Sequence, residues 1–178
     1  MIDLFILIAL VAGAIVGMRR GVLVQSIHLV GVIVALIVAG AFYRPLAKSF
    51  EMLIPYPGVS GGMALIIPTE GMDIDRTFYR IFAYVLIFIV AKVVIQVIAS
   101  AFNKYAYLPL FKNWNRIIGA LLAMIEVYIV LYMVLNVLAM LPLQSMIDRL
   151  DGSLFVSFIV NHSPIFSMIF ENMWYLYI

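Results

Sequence analysis

Residues 2–43 read IDLFILIALVAGAIVG, then MRRG, then VLVQSIHLVGVIVALIVAGAFY. Two apolar runs are separated by four residues that hold two arginines and end in a glycine. Sixteen helical residues rise roughly 24 Å, short for a hydrocarbon layer of about 30 Å but workable with local thinning or snorkelling flanks. The second run, 22–43, is long enough to span without help. A turn as short as Met18-Arg19-Arg20-Gly21 makes the two runs antiparallel neighbours, a helical hairpin. Asp3 precedes the first run and the arginines follow it, the reverse of a signal peptide. The first run is therefore read as a retained helix with its N-terminus outside.

Two further runs, 77–102 and 117–141, each exceed the roughly 20 residues that a spanning helix needs, and Pro142 stops the second. The connection 44–76 is long, with turns predicted at Ile54-Pro55-Tyr56-Pro57-Gly58 and Ser60-Gly61-Gly62. A stretch at 63–67 is apolar but too short to span. The tail 142–178 alternates polar and apolar residues. Ser163 and Pro164 predict a helix start, and 165–177, interrupted by Glu171 and Asn172, reads as an interfacial helix. The fold class is all-α: a polytopic domain over 1–141 with spans of about 2–17, 22–43, 77–102 and 117–141, followed by an amphipathic tail.

Composition agrees. Of 178 residues, 66% are hydrophobic and 11% charged, against about 45–50% and 25% for soluble domains. A bilayer solvates that much apolar surface; a soluble core of this size does not hide it. A net charge of +2, spread along the chain, argues against a nucleic-acid partner. The absence of cysteine excludes disulfides and thiolate sites. Two isolated histidines do not make a metal site. No Gly-rich phosphate loop and no Gly-x-Ser-x-Gly elbow occur, and the paired acids Asp73 and Asp75 fall in an exterior loop. The expectation is a non-enzymatic protein without a cofactor, its partners being the bilayer and either further copies or other membrane proteins.

The short turns 18–21 and 103–116 carry Arg19, Arg20, Lys104, Lys112 and Arg116 with no acid. Arg44, Lys48, Arg76, Arg80 and Arg149 are diluted by acids in the long connection and tail. Five basic residues in about 18 against five in about 70 place the turns in the cytoplasm and both termini outside.

Lys92 and Glu126 are the charges left inside apolar runs, at a cost of at least ~2.5–3.5 kcal/mol each at mid-membrane. Each lies about ten residues from the same side, so antiparallel helices hold them at similar depth and an ion pair is geometrically available. Lys92, Gln96, Ser100 and Asn103 draw one polar stripe. Gln25, His28, Gly31, Ala35 and Ala39 share a face of the second run, and polar and small residues face protein rather than lipid. The cluster Lys92, Glu126, Gln96, His28 and Gln25 reads first as a structural ion pair with interhelical hydrogen bonds. The alternative is a polar path in a small transporter or channel subunit. Ala9, Gly13, Gly17 and Gly21 form a small-residue ladder for close helix packing, with the second run favoured as its partner over another copy of the chain. Tyr43, Tyr79, Tyr105, Tyr107, Trp114, Trp174, Tyr175 and Tyr177 read as an interfacial belt.

Met1-Ile2-Asp3, the apolar run after it, Met18-Arg19-Arg20-Gly21 and the run that follows resemble the start of the bacterial colicin V production protein family. Asn115-Arg116-Ile117-Ile118-Gly119 resembles that family's Asp-Arg-x-x-Gly entry into its last span. The likeness covers residues 1–43 and 77–141. Asn115 replaces the aspartate, Ala123 a frequent second glycine, and Glu126 a basic residue. The resemblance implies a small protein of the bacterial cytoplasmic (inner) membrane that supports production or export of a peptide toxin (a bacteriocin) and has a wider envelope role. It brings no catalytic residues.

Overall fold

The structure, a computed structural model, describes residues 2–53, 55, 73–101, 114–141, 144–161, 163, 166, 168, 170 and 173–175. The segments 56–72 and 103–112 and His162, with the turns and polar groups predicted on them, lie outside the described residues. Among the described residues five helices are formed: α1, Ile2–Leu53; α2, Ile74–Ser100; α3, Asn115–Ala139; α4, Gln144–Asp151; and α5, Leu154–Asn161. Helix is the expected answer for apolar runs in lipid, because it satisfies every backbone polar group within the segment.

Among the described residues three helices are long and apolar enough to cross a membrane, but α1 is not one rod. Its 52 residues rise roughly 78 Å if straight, more than twice the hydrocarbon thickness. It breaks at Gly21, whose φ of 72° and ψ of 177° are non-helical. Glycine adopts that φ without the Cβ penalty that other residues meet. Two limbs result, and the crossing count is about four.

The chain divides into two compact units. One comprises Phe5–Ala41 and Leu86–Leu131; the other comprises Met1–Leu4, Phe42–Val85 and Tyr132–Ile178. In the first, Gly13 lies against Val127, and Gly17 against Gly119 and Ala123, so the first limb runs antiparallel to α3. The second limb starts with Val22 beside Asn115 and proceeds to Gln25 beside Glu126, the same sense as α3. The limbs are thus opposed, as the four-residue turn predicts. The glycine ladder departs from expectation: its partner within the chain is α3, not the second limb.

In the other unit, α1 continues through Pro45 to Leu53, about ten residues past the predicted end of the run. Pro45 lacks an N–H, while its own carbonyl still accepts from Ser49 Oγ at 3.1 Å. Asp73 caps α2: its Oδ1 accepts from the Arg76 N–H at 3.2 Å, and its carbonyl from the Thr77 N–H at 3.0 Å. α3 tightens at its end, where the Met140 and Leu141 N–H groups reach back three residues to Val137 and Leu138, ahead of Pro142.

Asp3 serves as an anchor. Its Oδ1 accepts from Ser153 Oγ at 2.5 Å and from the Phe155 N–H at 3.0 Å. Ser153 Oγ in turn accepts from the Val156 N–H at 3.2 Å, so the first turn of α5 is capped by a serine that the N-terminus holds. Trp174 departs from the interfacial-belt expectation. It is 0% exposed and stacks on Phe170 at 4.6 Å, with Tyr84 at 5.3 Å. The Tyr43 hydroxyl donates to the Met173 carbonyl at 2.9 Å. Phe170 and Trp174 are core, packed on the Tyr84 and Tyr132 rings of α2 and α3.

Candidate functional site

The unit built from Phe5–Ala41 and Leu86–Leu131 holds a polar network on three helical segments. Lys92 Nζ donates to Glu126 Oε1, an α2–α3 ion pair whose side chains are only 15% and 13% exposed. The same amine donates to Gln96 Oε1 at 3.0 Å, one turn along α2. Gln25 Nε2 on the second limb donates to Glu126 Oε2 at 2.6 Å. His28 Nδ1 lies 3.0 Å from Gln96 Oε1. An amide oxygen only accepts, so Nδ1 carries the hydrogen of this contact. Gln25 and His28 are each 1% exposed. All five residues of the predicted cluster are thus joined in one chain of contacts: His28, Gln96, Lys92, Glu126, Gln25.

The spacing explains the convergence. Gln25 and His28 lie three apart on one limb, and Lys92 and Gln96 four apart on α2, so each pair shares a face. Gly31 brings that limb close to α2: a Cβ there would stand 2.6 Å from Ile95 Cγ2. Ala35 and Ala39 on the same face are fully buried. Ser100, the third residue of the predicted stripe, is exposed and turns back to the Val97 carbonyl; Asn103, the fourth, lies outside the described residues.

Chemically the network pairs one cation with one anion, so the cluster is neutral as a unit. Both carboxylate oxygens of Glu126 accept hydrogen bonds. Such groups survive burial when they are paired and hydrogen-bonded. Two buried atoms of the network stay unpartnered among the described residues, Gln25 Oε1 and His28 Nε2. Glu126 and Gln25 also line a cleft of about 230 Å³ with Arg20 at its edge and Gly13, Val16 and Val127 on its apolar walls.

A second constellation was missed as a unit in the sequence, although its parts were noticed. Asn115 Oδ1 accepts from the Val22 N–H at 2.9 Å. Gly119 faces the Gly17 carbonyl and the Gly21 backbone closely enough that a Cβ on it would overlap both. The Asn-Arg-x-x-Gly entry of α3 therefore receives the Met-Arg-Arg-Gly turn. The available signal was that both motifs put a glycine and polar groups at the same membrane depth.

The family model for the colicin V production protein matches residues 2–164. The chain belongs to the colicin V production protein family. Within it, the protein is 30% identical over 177 residues, 99% of each chain, to a Bacillus subtilis (strain 168) protein described as the uncharacterized transmembrane protein YshB. No solved structure matches. For this colicin V production family member, the two paired motifs are the segments that carry the resemblance seen in the sequence. Their contact gives that resemblance a physical content: a hairpin turn, and the helix entry that holds it.

Proposed function

We propose that this family member is a non-enzymatic, multi-pass protein of the bacterial cytoplasmic membrane that supports peptide toxin production or export and envelope integrity by assembling with other membrane proteins. The observation that carries this reading is the use of the intramembrane charges. Lys92 and Glu126 neutralise one another and staple helices within the chain. Meanwhile Val90, Val93, Val94, Val97 and Ile98 present an exposed apolar face of α2. Intramembrane ionisable groups mark a site by default; here they are spent on each other.

A second reading, a small transporter or channel subunit, is favoured by the cleft that Arg20, Gln25 and Glu126 line. One experiment separates the two. A deletion strain is complemented with Lys92→Met/Glu126→Gln, and detergent sensitivity is scored beside the amount of inserted protein. Under the assembly reading the double variant, once stably inserted, restores resistance and retains the proteins that co-purify with wild type. A stable variant that fails to complement supports the polar path instead.

The proposed orientation puts both termini outside and the turns 18–21 and 103–116 in the cytoplasm. The chain has no cysteine, so single cysteines at position 112 and after Ile178 can be labelled from outside in intact cells. Labelling after Ile178 and protection at 112 is the expected pattern; labelling at 112 rejects it.

A further inference from the structure

Arg44 and Lys48 stand four residues apart on α1, and Arg76 and Arg80 four apart at the start of α2. With Ala47 and Glu51 they line a single cleft of about 350 Å³. Four cations face one carboxylate, a local excess of three positive charges. Like charges at this helical spacing repel, and the fold repeats that spacing on both walls of one cleft. Asp73 relieves little of it: it pairs with Arg76 at 3.5 Å, and that arginine side chain is 63% exposed. The Arg44 guanidinium is directed by the Tyr43 hydroxyl, its Nε donating at 3.1 Å. Among the described residues no acid is paired with Arg80 or Lys48.

The position of the cleft along the helices names the ligand. The apolar run of α1 ends at Tyr43, one residue before Arg44. That of α2, which starts at Thr77, is free of charge from Ile81, one residue after Arg80, as far as Lys92. Tyr43, Tyr79 and Ile81 are buried, and Phe50 and Phe82 sit with ring centroids 5.4 Å apart. The cleft, cationic apart from Ala47 and Glu51, thus opens at the depth where spans give way to headgroups. Guanidinium groups suit phosphate oxygens, because their donors form a planar fork. Basic pockets between membrane helices hold anionic headgroups on these grounds. A soluble anion would satisfy the cations too, but at headgroup depth the phosphate on hand is that of the lipid.

We propose that Arg44, Lys48, Arg76 and Arg80 form a binding site for the phosphate of an anionic phospholipid, with its acyl chains lying along the apolar helix faces below. The site is separate from the Lys92–Glu126 network and does not depend on the function proposed above.

The full chain, purified in a neutral detergent, is titrated with phosphatidylglycerol or phosphatidylcholine while retained lipid is counted by native mass spectrometry. Wild type should retain phosphatidylglycerol in preference to phosphatidylcholine. Arg44→Gln/Arg80→Gln removes two charges and should lower that preference roughly 25-fold, at about fivefold per basic residue. Arg149→Gln, an exposed arginine on α4, should leave it unchanged. Circular dichroism and thermal unfolding of each variant report whether it is folded, and Lys48→Gln/Arg76→Gln serves as the second pair if the first does not fold. Equal retention of the two lipids by wild type, or undiminished preference in a folded double variant, overturns the proposal. So does abolition of the preference by inorganic phosphate at millimolar concentration, since the site would then be one for a soluble anion.

Discussion

The side-chain oxygen of Asn115 accepts the backbone N–H of Val22 at 2.9 Å, across 93 positions of sequence. Val22 is the first residue after the break at Gly21, so its N–H is one of the donors a new helix leaves unpaired. Asn115 therefore caps the second limb of the hairpin while opening its own helix, α3. A Cβ on Gly21 would meet the Asn115 amide at 2.6 Å, so glycine is needed at that turn for space as well as for its positive φ.

Asn115→Ala is expected to lower stability by about 1 kcal/mol, the usual value of a helix cap. Asn115→Asp should retain most of it, since a carboxylate accepts the same bond and favours a helix N-terminus. Thermal unfolding in detergent measures both. Equal loss in the two variants would show that the amide's shape, not its acceptor oxygen, is what matters.

Gly17→Leu should destabilise by ~1–3 kcal/mol or prevent folding. The new side chain would run into the Gly119 carbonyl and Ala123 Cβ, and backbone cannot step aside as a flexible side chain can. Ala12→Leu, at an exposed position of the same limb, is the control and should be neutral. If Gly17→Leu unfolds at the wild-type temperature, the ladder does not pack as described.

Lys92→Met leaves Glu126 buried with Gln25 as its remaining partner, at an expected cost of about 3–5 kcal/mol. Adding Glu126→Gln should recover much of that, because no stranded charge remains and the amide still bonds Gln25. The four-way comparison of melting temperatures gives the coupling directly. Additive losses would mean that the two side chains act independently.

Trp174→Ala should cost ~3–5 kcal/mol, in the range for a fully buried large aromatic. Tyr43→Phe, which removes the bond to the Met173 carbonyl and the one accepted from Arg44 Nε, should cost about 1–2 kcal/mol. Both are read from unfolding curves, with protease cleavage of the tail as a second probe. A tail that merely rests on the bilayer surface would leave both variants as stable as wild type.

By itself the sequence determined the all-helical class, the approximate place of each crossing, the hairpin at 18–21 and the shared depth of Lys92 and Glu126. The bilayer makes those features one-dimensional. A span must be helical and of set length, and depth follows from counting residues from its end. The tertiary structure decided who meets whom. Lipid is as apolar as leucine, so a membrane helix carries no amphipathic stripe pointing at its neighbour; small and polar residues mark a contact face without naming the partner. That is why Gly13 and Gly17 were legible as a packing face but not as the seat of α3. For the same reason Asn115 was visible as a departure from Asp-Arg-x-x-Gly but not as the cap of another helix. Asp3 on Ser153 and Trp174 on Tyr84 are contacts between residues 150 and 90 positions apart. No local pattern encodes them; they exist only once the long helices have fixed the surface on which the tail closes.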